Sequence, residues 1–117
     1  MRPTVLIVDD HEAFRQSASA LLEAEGFEVI GQAADGPEAI VLADRLQPQV
    51  VLLDIQLPDL DGFAVAERLA ALPDAPRVVL ISSRDASAYG PRLGDTSARG
   101  FLTKRELSGD ALAALVS

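Results

Sequence analysis

The sequence predicts an α/β fold in which five parallel strands form one doubly wound sheet with helices on both faces. Three observations carry this expectation. Five short apolar runs are each followed by a stretch built for a helix. The runs are continuous rather than alternating, as strands buried on both faces are. Polar residues with chemical capacity gather at their carboxyl ends, the edge at which such sheets bind ligands. With 117 residues, 49% hydrophobic and 24% charged, the chain has enough apolar material for one core, and a single domain over residues 1–117 is expected.

The first run, "TVLIVDD", is rich in β-branched residues and closes on Asp9 and Asp10. Phe14, Ala18, Leu21 and Leu22 then recur at helical spacing, and Gly26 stands where a helix usually stops. "FEVIGQA" reads as the second strand. In "DGPEAIVLADRLQP", Pro37 suits a first helical turn, and Ile40, Ala43 and Leu46 lie near one face. "VVLLD" is the third strand, ending on Asp54, and "DGFAVAERLAALP" is a helix with Phe63, Ala66, Leu69 and Ala70 inward, closed off by Pro73. "RVVLISS" and "GFLT" are strands four and five. In the closing helix, "LSGDALAALVS", Ser108 is an N-cap and Leu107 packs on Leu112 as a hydrophobic staple. Between strands four and five, Gly90, Pro91 and Gly94 disfavour a regular helix, so the one there is expected to be short, broken or mobile.

Charge and composition remove several function classes. With 18 acidic against 10 basic side chains, a net charge of −8 and a pI near 4.4, the surface should repel phosphate backbones and anionic lipids, so direct nucleic-acid binding by this chain is not expected. There is no cysteine, hence neither a disulfide framework nor a thiolate metal site. No apolar stretch approaches transmembrane length and no signal peptide is recognisable, which places the expected protein in the cytoplasm, away from membranes.

The residues at the strand ends suggest chemistry. Asp9 and Asp10 follow strand one, Asp54 ends strand three, Ser82 or Ser83 ends strand four, and Lys104 follows strand five. Three carboxylates brought close together raise one another's pKa, so cations are needed among them. Lys104 can balance one charge, and a hard divalent ion such as Mg²⁺, bound by oxygen and shared with a phosphate, can balance others. That combination suits phosphoryl transfer to an aspartate, with metal, ammonium and hydroxyl taking up charge on the phosphoryl oxygens.

These residues resemble the receiver domain of bacterial two-component response regulators. The likeness rests on "VDD", on "LLDIQLPDLDG" with Pro58 four and Gly62 eight residues after Asp54, on a hydroxyl ending "VVLIS", and on the lysine ending "GFLTK". It extends over essentially the whole chain and implies a single receiver domain, residues 1–117, of flavodoxin-like (βα)5 architecture with strand order 2-1-3-4-5. The resemblance implies Asp54 as phosphoacceptor, with Mg²⁺ held by Asp9, Asp10, Asp54 and the main-chain carbonyl of Gln56. It implies that Lys104 pairs with the phosphoryl group, that Ser82 rather than Ser83 is the switch hydroxyl, and that Phe101 is the aromatic reporting the state. The implied partner is a sensor histidine kinase. Arg105 directly after Lys104 is the pattern of a subgroup that precedes a helix-turn-helix output domain, so an output domain or the transcription machinery is a further partner, and a homodimer stays open.

Some residues carry blander readings. Asp59 and Asp61 fall where a helix opens and suit its dipole, so they are read as structural. His11, the only histidine, is read as structural or peripheral. Phe101 serves the core as much as a switch. Gln56 and Arg84 border, by the resemblance, the path of an attacking water. Two rival functions remain: a phosphorylation-independent interaction module on the same fold, and a Mg²⁺-dependent aspartyl phosphatase. The second would want an acid two positions after Asp54, where Gln56 stands.

Overall fold

A computed structural model describes residues 2–116. Its strands are β1 (Thr4–Val8), β2 (Glu28–Ala33), β3 (Val50–Asp54), β4 (Arg77–Ser82) and β5 (Gly100–Thr103). The helices are α1 (Glu12–Ala24), α2 (Gly36–Leu46), α3 (Gly62–Ala70), α4 (Arg92–Asp95) and α5 (Gly109–Val116). All strand pairs are parallel and the order across the sheet is β2-β1-β3-β4-β5. The order expected from the sequence is therefore the order found, with its reversal between β1 and β3.

The continuous apolar runs are explained by the two cores they feed. Successive strand side chains point to opposite faces. Val5, Ile7, Val50, Leu52, Val79 and Ile81 join the core covered by α1 and α5. Leu6, Val8, Val51, Leu53, Val78 and Leu80 join the core covered by α2 and α3. A polar residue on either register would be buried, so these strands have no free face on which to alternate.

The helix ends follow the local sequence. After α1, Gly26 takes a φ of 102°, and the amide of Phe27 donates back to the carbonyl of Leu22 at 3.0 Å, a left-handed closure that suits a residue without Cβ. Asp35 caps α2 by accepting from Glu38 N at 2.8 Å. Ser108 caps α5 by accepting from Ala111 N at 3.0 Å, while Leu107 and Leu112 are buried in the same core. Between β4 and β5 the chain makes a single 3-10 turn at Ala86–Ala88 and the four-residue α4, broken as Gly90, Pro91 and Gly94 require.

One inward assignment is corrected. Ala70 is exposed, whereas Val65 is fully buried. Ala70 shares the flank of the helical stripe with Phe63, two turns earlier, where an aromatic ring reaches the core and a methyl group does not. Leu46 is 40% exposed, because it sits in the last turn of α2 over Gly31 of edge strand β2 rather than over the sheet centre.

Gly62 fixes the relation of α3 to β3. A Cβ there would lie 2.5 Å from the carbonyl oxygen of Asp54 and 2.5 Å from Ile55 Cα, both backbone atoms that cannot swing aside. Gly62→Ala is expected to lower the unfolding free energy by about 2 kcal/mol, the scale of forced overpacking, read as a lower urea midpoint at unchanged slope.

Candidate functional site

The residues nominated at the strand ends converge. β1 and β3 are neighbours, and the chain leaves β1 at Asp9 and β3 at Asp54, the first 0% and the second 3% exposed. Lys104 follows β5 directly, and its Nζ lies 2.6 Å from Asp9 Oδ2 and 3.3 Å from Asp54 Oδ2. The ammonium also stands 4.4 Å from the centroid of the Phe14 ring on α1, a cation–π contact. The backbone beneath it is braced, since Glu106 accepts from both the amide (3.0 Å) and the hydroxyl (2.8 Å) of Thr103.

Three site side chains use the same local device. Asp9 Oδ1 accepts from His11 N at 2.7 Å, Asp54 Oδ1 from Gln56 N at 3.0 Å, and Ser82 Oγ from Arg84 N at 3.0 Å. Each residue thus closes the turn by which its own strand exits, the local bonding that Asp and Ser favour. The capping explanation and the chemical one are compatible for Asp54, because only Oδ1 is committed to the turn.

Electrostatics set the charge states. Burial pushes the Asp54 carboxyl up to about 6, against the opposing pulls of the Gln56 amide and the Lys104 ammonium and with added repulsion from Asp9. Burial also disfavours the charge on Lys104, but bonding to Asp9 and the fields of both carboxylates outweigh it and hold the amine above its ordinary range. Asp10 is exposed beside them. One ligand atom each from Asp9, Asp10, His11 and Asp54 lies within 4.8 Å of the others. Asp9 Oδ2 is buried, and the Lys104 ammonium at 2.6 Å is its only cationic partner among the described residues. A compact set of carboxylate oxygens, two of the aspartates buried and with a single ammonium between them, fits a hard divalent cation.

Of the other nominated residues, Ser82 is fully buried at the end of β4, one step past Ile81, the register partner of Asp54, whereas Ser83 is exposed. Gln56 lies on the loop leaving β3, tied to the Asp54 carboxylate through its amide. Phe101 on β5 is half-buried against the α2/α3 core. Asp61 caps α3 by accepting from Phe63 N at 2.7 Å, and Asp59 accepts from Gly36 N at 3.4 Å. His11 does not stand apart: its Nδ1 is 3.2 Å from Asp9 Oδ1 and 3.1 Å from Asp10 Oδ1. Sequence reading missed Tyr89 altogether, although its hydroxyl bonds Ser82 Oγ, and took Phe14 for a core residue only.

Residues 5–116 match the family described as the response regulator receiver domain. The chain belongs to the receiver domain family. Among relatives of this receiver, BvgA of Bordetella pertussis, named as a positive transcription regulator of virulence factors, is 39% identical over 102 residues, covering 87% of this chain and 49% of its own. The transcriptional regulatory protein DegU of Brevibacillus brevis is 34% identical over 110 residues, covering 92% of this chain and 46% of its own. The chain spans about half the length of the curated relatives it matches. Among solved structures, the signal receiver domain of the response regulator NarL from Mycobacterium tuberculosis has a TM-score of 0.84 at 33% identity, over 97% of this receiver and 96% of that chain. A LuxR-family two-component response regulator from Aurantimonas gives 0.86 at 27% identity, over 98% and 86%. No helix among the described residues of the receiver is long and apolar enough to cross a membrane.

Two outcomes are expected of this site. Millimolar Mg²⁺ should raise the melting temperature of the metal-free protein, and an unchanged melting curve would count against a metal site. The second concerns pH. A carboxyl whose pKa is raised by folding destabilises the native state only once ionised. The cost is therefore absent below the unfolded value and complete above the folded one. Relative to Asp54→Asn, the metal-free wild type should lose roughly 2 to 3 kcal/mol of stability as pH rises from about 4 to about 6, measured by urea unfolding along the pH series.

Proposed function

We propose that this chain is a phosphorylation-dependent signalling switch: Asp54 accepts a phosphoryl group from the phosphohistidine of a sensor histidine kinase in a Mg²⁺-dependent reaction, and the surface offered to partners changes. The observation that carries this reading is the ammonium of Lys104 set between two buried carboxylates at strand ends, in a chain of the receiver family. An aspartate pushed up to about 6 by its surroundings is still mostly ionised at neutral pH, as a nucleophile must be.

In the step proposed, an Asp54 carboxylate oxygen attacks phosphorus in line as the phosphorus–nitrogen bond to the donor imidazole breaks. The electron pair of that bond leaves with the imidazole, and an acyl phosphate is left on Asp54. The Gln56 amide holds Oδ1 in the turn, so the carboxylate is oriented before the donor arrives. Lys104 supplies positive charge where the phosphoryl oxygens gather, and the Ser82 hydroxyl donates to one of them, with Phe101 following the change. Mg²⁺ held by Asp9, Asp10, Asp54 and the carbonyl of Gln56 would neutralise further phosphoryl charge. Self-phosphorylation and self-dephosphorylation are the only turnover invoked. The aspartyl phosphatase reading is weaker, because Gln56 offers no acid two residues after Asp54.

Relatives of about twice the length are named as transcription regulators, which supports an output domain or the transcription machinery downstream, in the cytoplasm. Nucleic-acid contact is assigned to that other part and not to this acidic chain. Incubation with Mg²⁺ and acetyl phosphate, followed by intact mass measurement, should show one phosphoryl adduct on the wild type and none on Asp54→Asn. A folded, Mg²⁺-binding wild type without the adduct would favour the phosphorylation-independent module.

A further inference from the structure

Ser82 is fully buried, and its single oxygen has two partners. The Arg84 amide donates to it at 3.0 Å, and the Tyr89 hydroxyl lies 2.5 Å away. Tyr89 belongs to the irregular connection between β4 and α4, directly before Gly90, whose φ is 56°. Its ring is wedged between two aromatics: Phe63 of α3 meets it edge-on with centroids 5.8 Å apart, and Phe101 of β5 lies at 6.0 Å. Phe101 has no hydroxyl, so of these three rings only Tyr89 can hydrogen-bond the serine.

The connection it anchors is otherwise lightly held. Neither the 3-10 turn at Ala86–Ala88 nor α4 buries a residue fully, although Leu93 of α4 packs, partly buried, against the α2/α3 core. Arg92 ties α4 to the start of α3, pairing with Asp61 Oδ2 at 2.5 Å and lying 4.2 Å from the Phe63 ring centroid. Both ties are at least partly in solvent, where such contacts contribute little. Tyr89 and Leu93 are the apolar anchors of a segment whose ion pairs, Arg92–Asp61 and Arg105–Asp85, are exposed, and segments with few buried contacts open first.

We propose that Tyr89 is a positioning residue for the switch hydroxyl: its phenol holds Ser82 Oγ in the unphosphorylated protein, and loss of that bond on phosphorylation frees the segment around residues 85–96. The second half rests on Asp54 being the phosphoacceptor, as proposed above. A phosphoryl oxygen is an acceptor only, so it needs the one proton that Ser82 carries. If Ser82 donates to Tyr89, that bond must break first. If Tyr89 donates to Ser82, the serine proton stays free, and the phenol instead fixes the rotamer that carries it. Where Ser82 is the donor, the tyrosine and the phosphoryl group compete for its one proton; where Tyr89 is the donor, they compete for the position of Oγ, and in either case the tyrosine takes its segment with it when it lets go.

The chain has one tyrosine and no tryptophan, so tyrosine emission reports Tyr89 alone, with Tyr89→Phe as the blank. In the resting protein, Ser82→Ala should change the emission relative to wild type, because the phenol loses its partner. Mg²⁺ and acetyl phosphate should move the wild-type emission to the Ser82→Ala value, and Asp54→Asn should not respond. Tyr89→Phe keeps the ring between Phe63 and Phe101 and should take up the phosphoryl group about fivefold faster, the scale of one net hydrogen bond. In a Ser82→Ala background the same change should have no effect on rate. Identical resting emission of wild type and Ser82→Ala would overturn the proposal, as would a Tyr89→Phe rate equal to or below wild type. If intact mass shows no adduct on the wild type, the Asp54 reading fails, and the resting emission decides the Tyr89 bond on its own.

Discussion

Two carboxylates at the ends of buried strands are the constraint to which the rest of the molecule answers. An aspartate with no exposed surface is costly to keep ionised, and a second one beside it raises the cost. One amine meets both: Lys104 is delivered by β5, two strands away from β3, and can reach Asp9 and Asp54 only if β4 and β5 pair in register with the rest of the sheet. The Thr103–Glu106 bracket beneath it and the Phe14 ring against its Nζ both serve that reach. Formation of the sheet and assembly of the charged cluster are thus one event.

The cluster also explains the division of labour between the two cores. The faces of β1, β3 and β4 are filled almost entirely by Val, Leu and Ile, so polar function is confined to the rim. The α1/α5 side reaches the rim through Phe14 and Lys104, and the α2/α3 side through Phe63, Tyr89 and Phe101. The first group holds charge and the second holds the serine. A disturbance at Asp54 therefore has two exits of different chemical character, one electrostatic and one steric.

What could be read from the sequence follows from how local each signal is. Element order was legible because each apolar run is bounded by its own turn residues, as at Gly26 and Ser108, whereas strand order followed from the family resemblance. Asp9, Asp54, Ser82 and Lys104 were legible as a group because each stands at the carboxyl end of a strand or directly after it, and the topology brings strand ends together. Ala70 was misjudged because helical periodicity records direction and not reach. Phe14 was half understood, since its spacing on α1 shows a core stripe but nothing local points to an amine far along the chain. Tyr89 was invisible: it lies in a segment without periodicity, and its partner, Ser82, lies across an irregular connection whose path no propensity defines.

The exit turns of β1, β3 and β4 differ in one respect. A carboxylate has two oxygens, so Asp9 and Asp54 can each hold a turn with one and spend the other on an ion, and neither loop is asked to choose. A serine has a single oxygen. Whatever reorients Ser82 Oγ must tug on the Arg84 amide that the same atom receives. Two of the three exits are clamps and the third is a hinge, a distinction made by the valence of the side chain and not by the flexibility of the backbone around it.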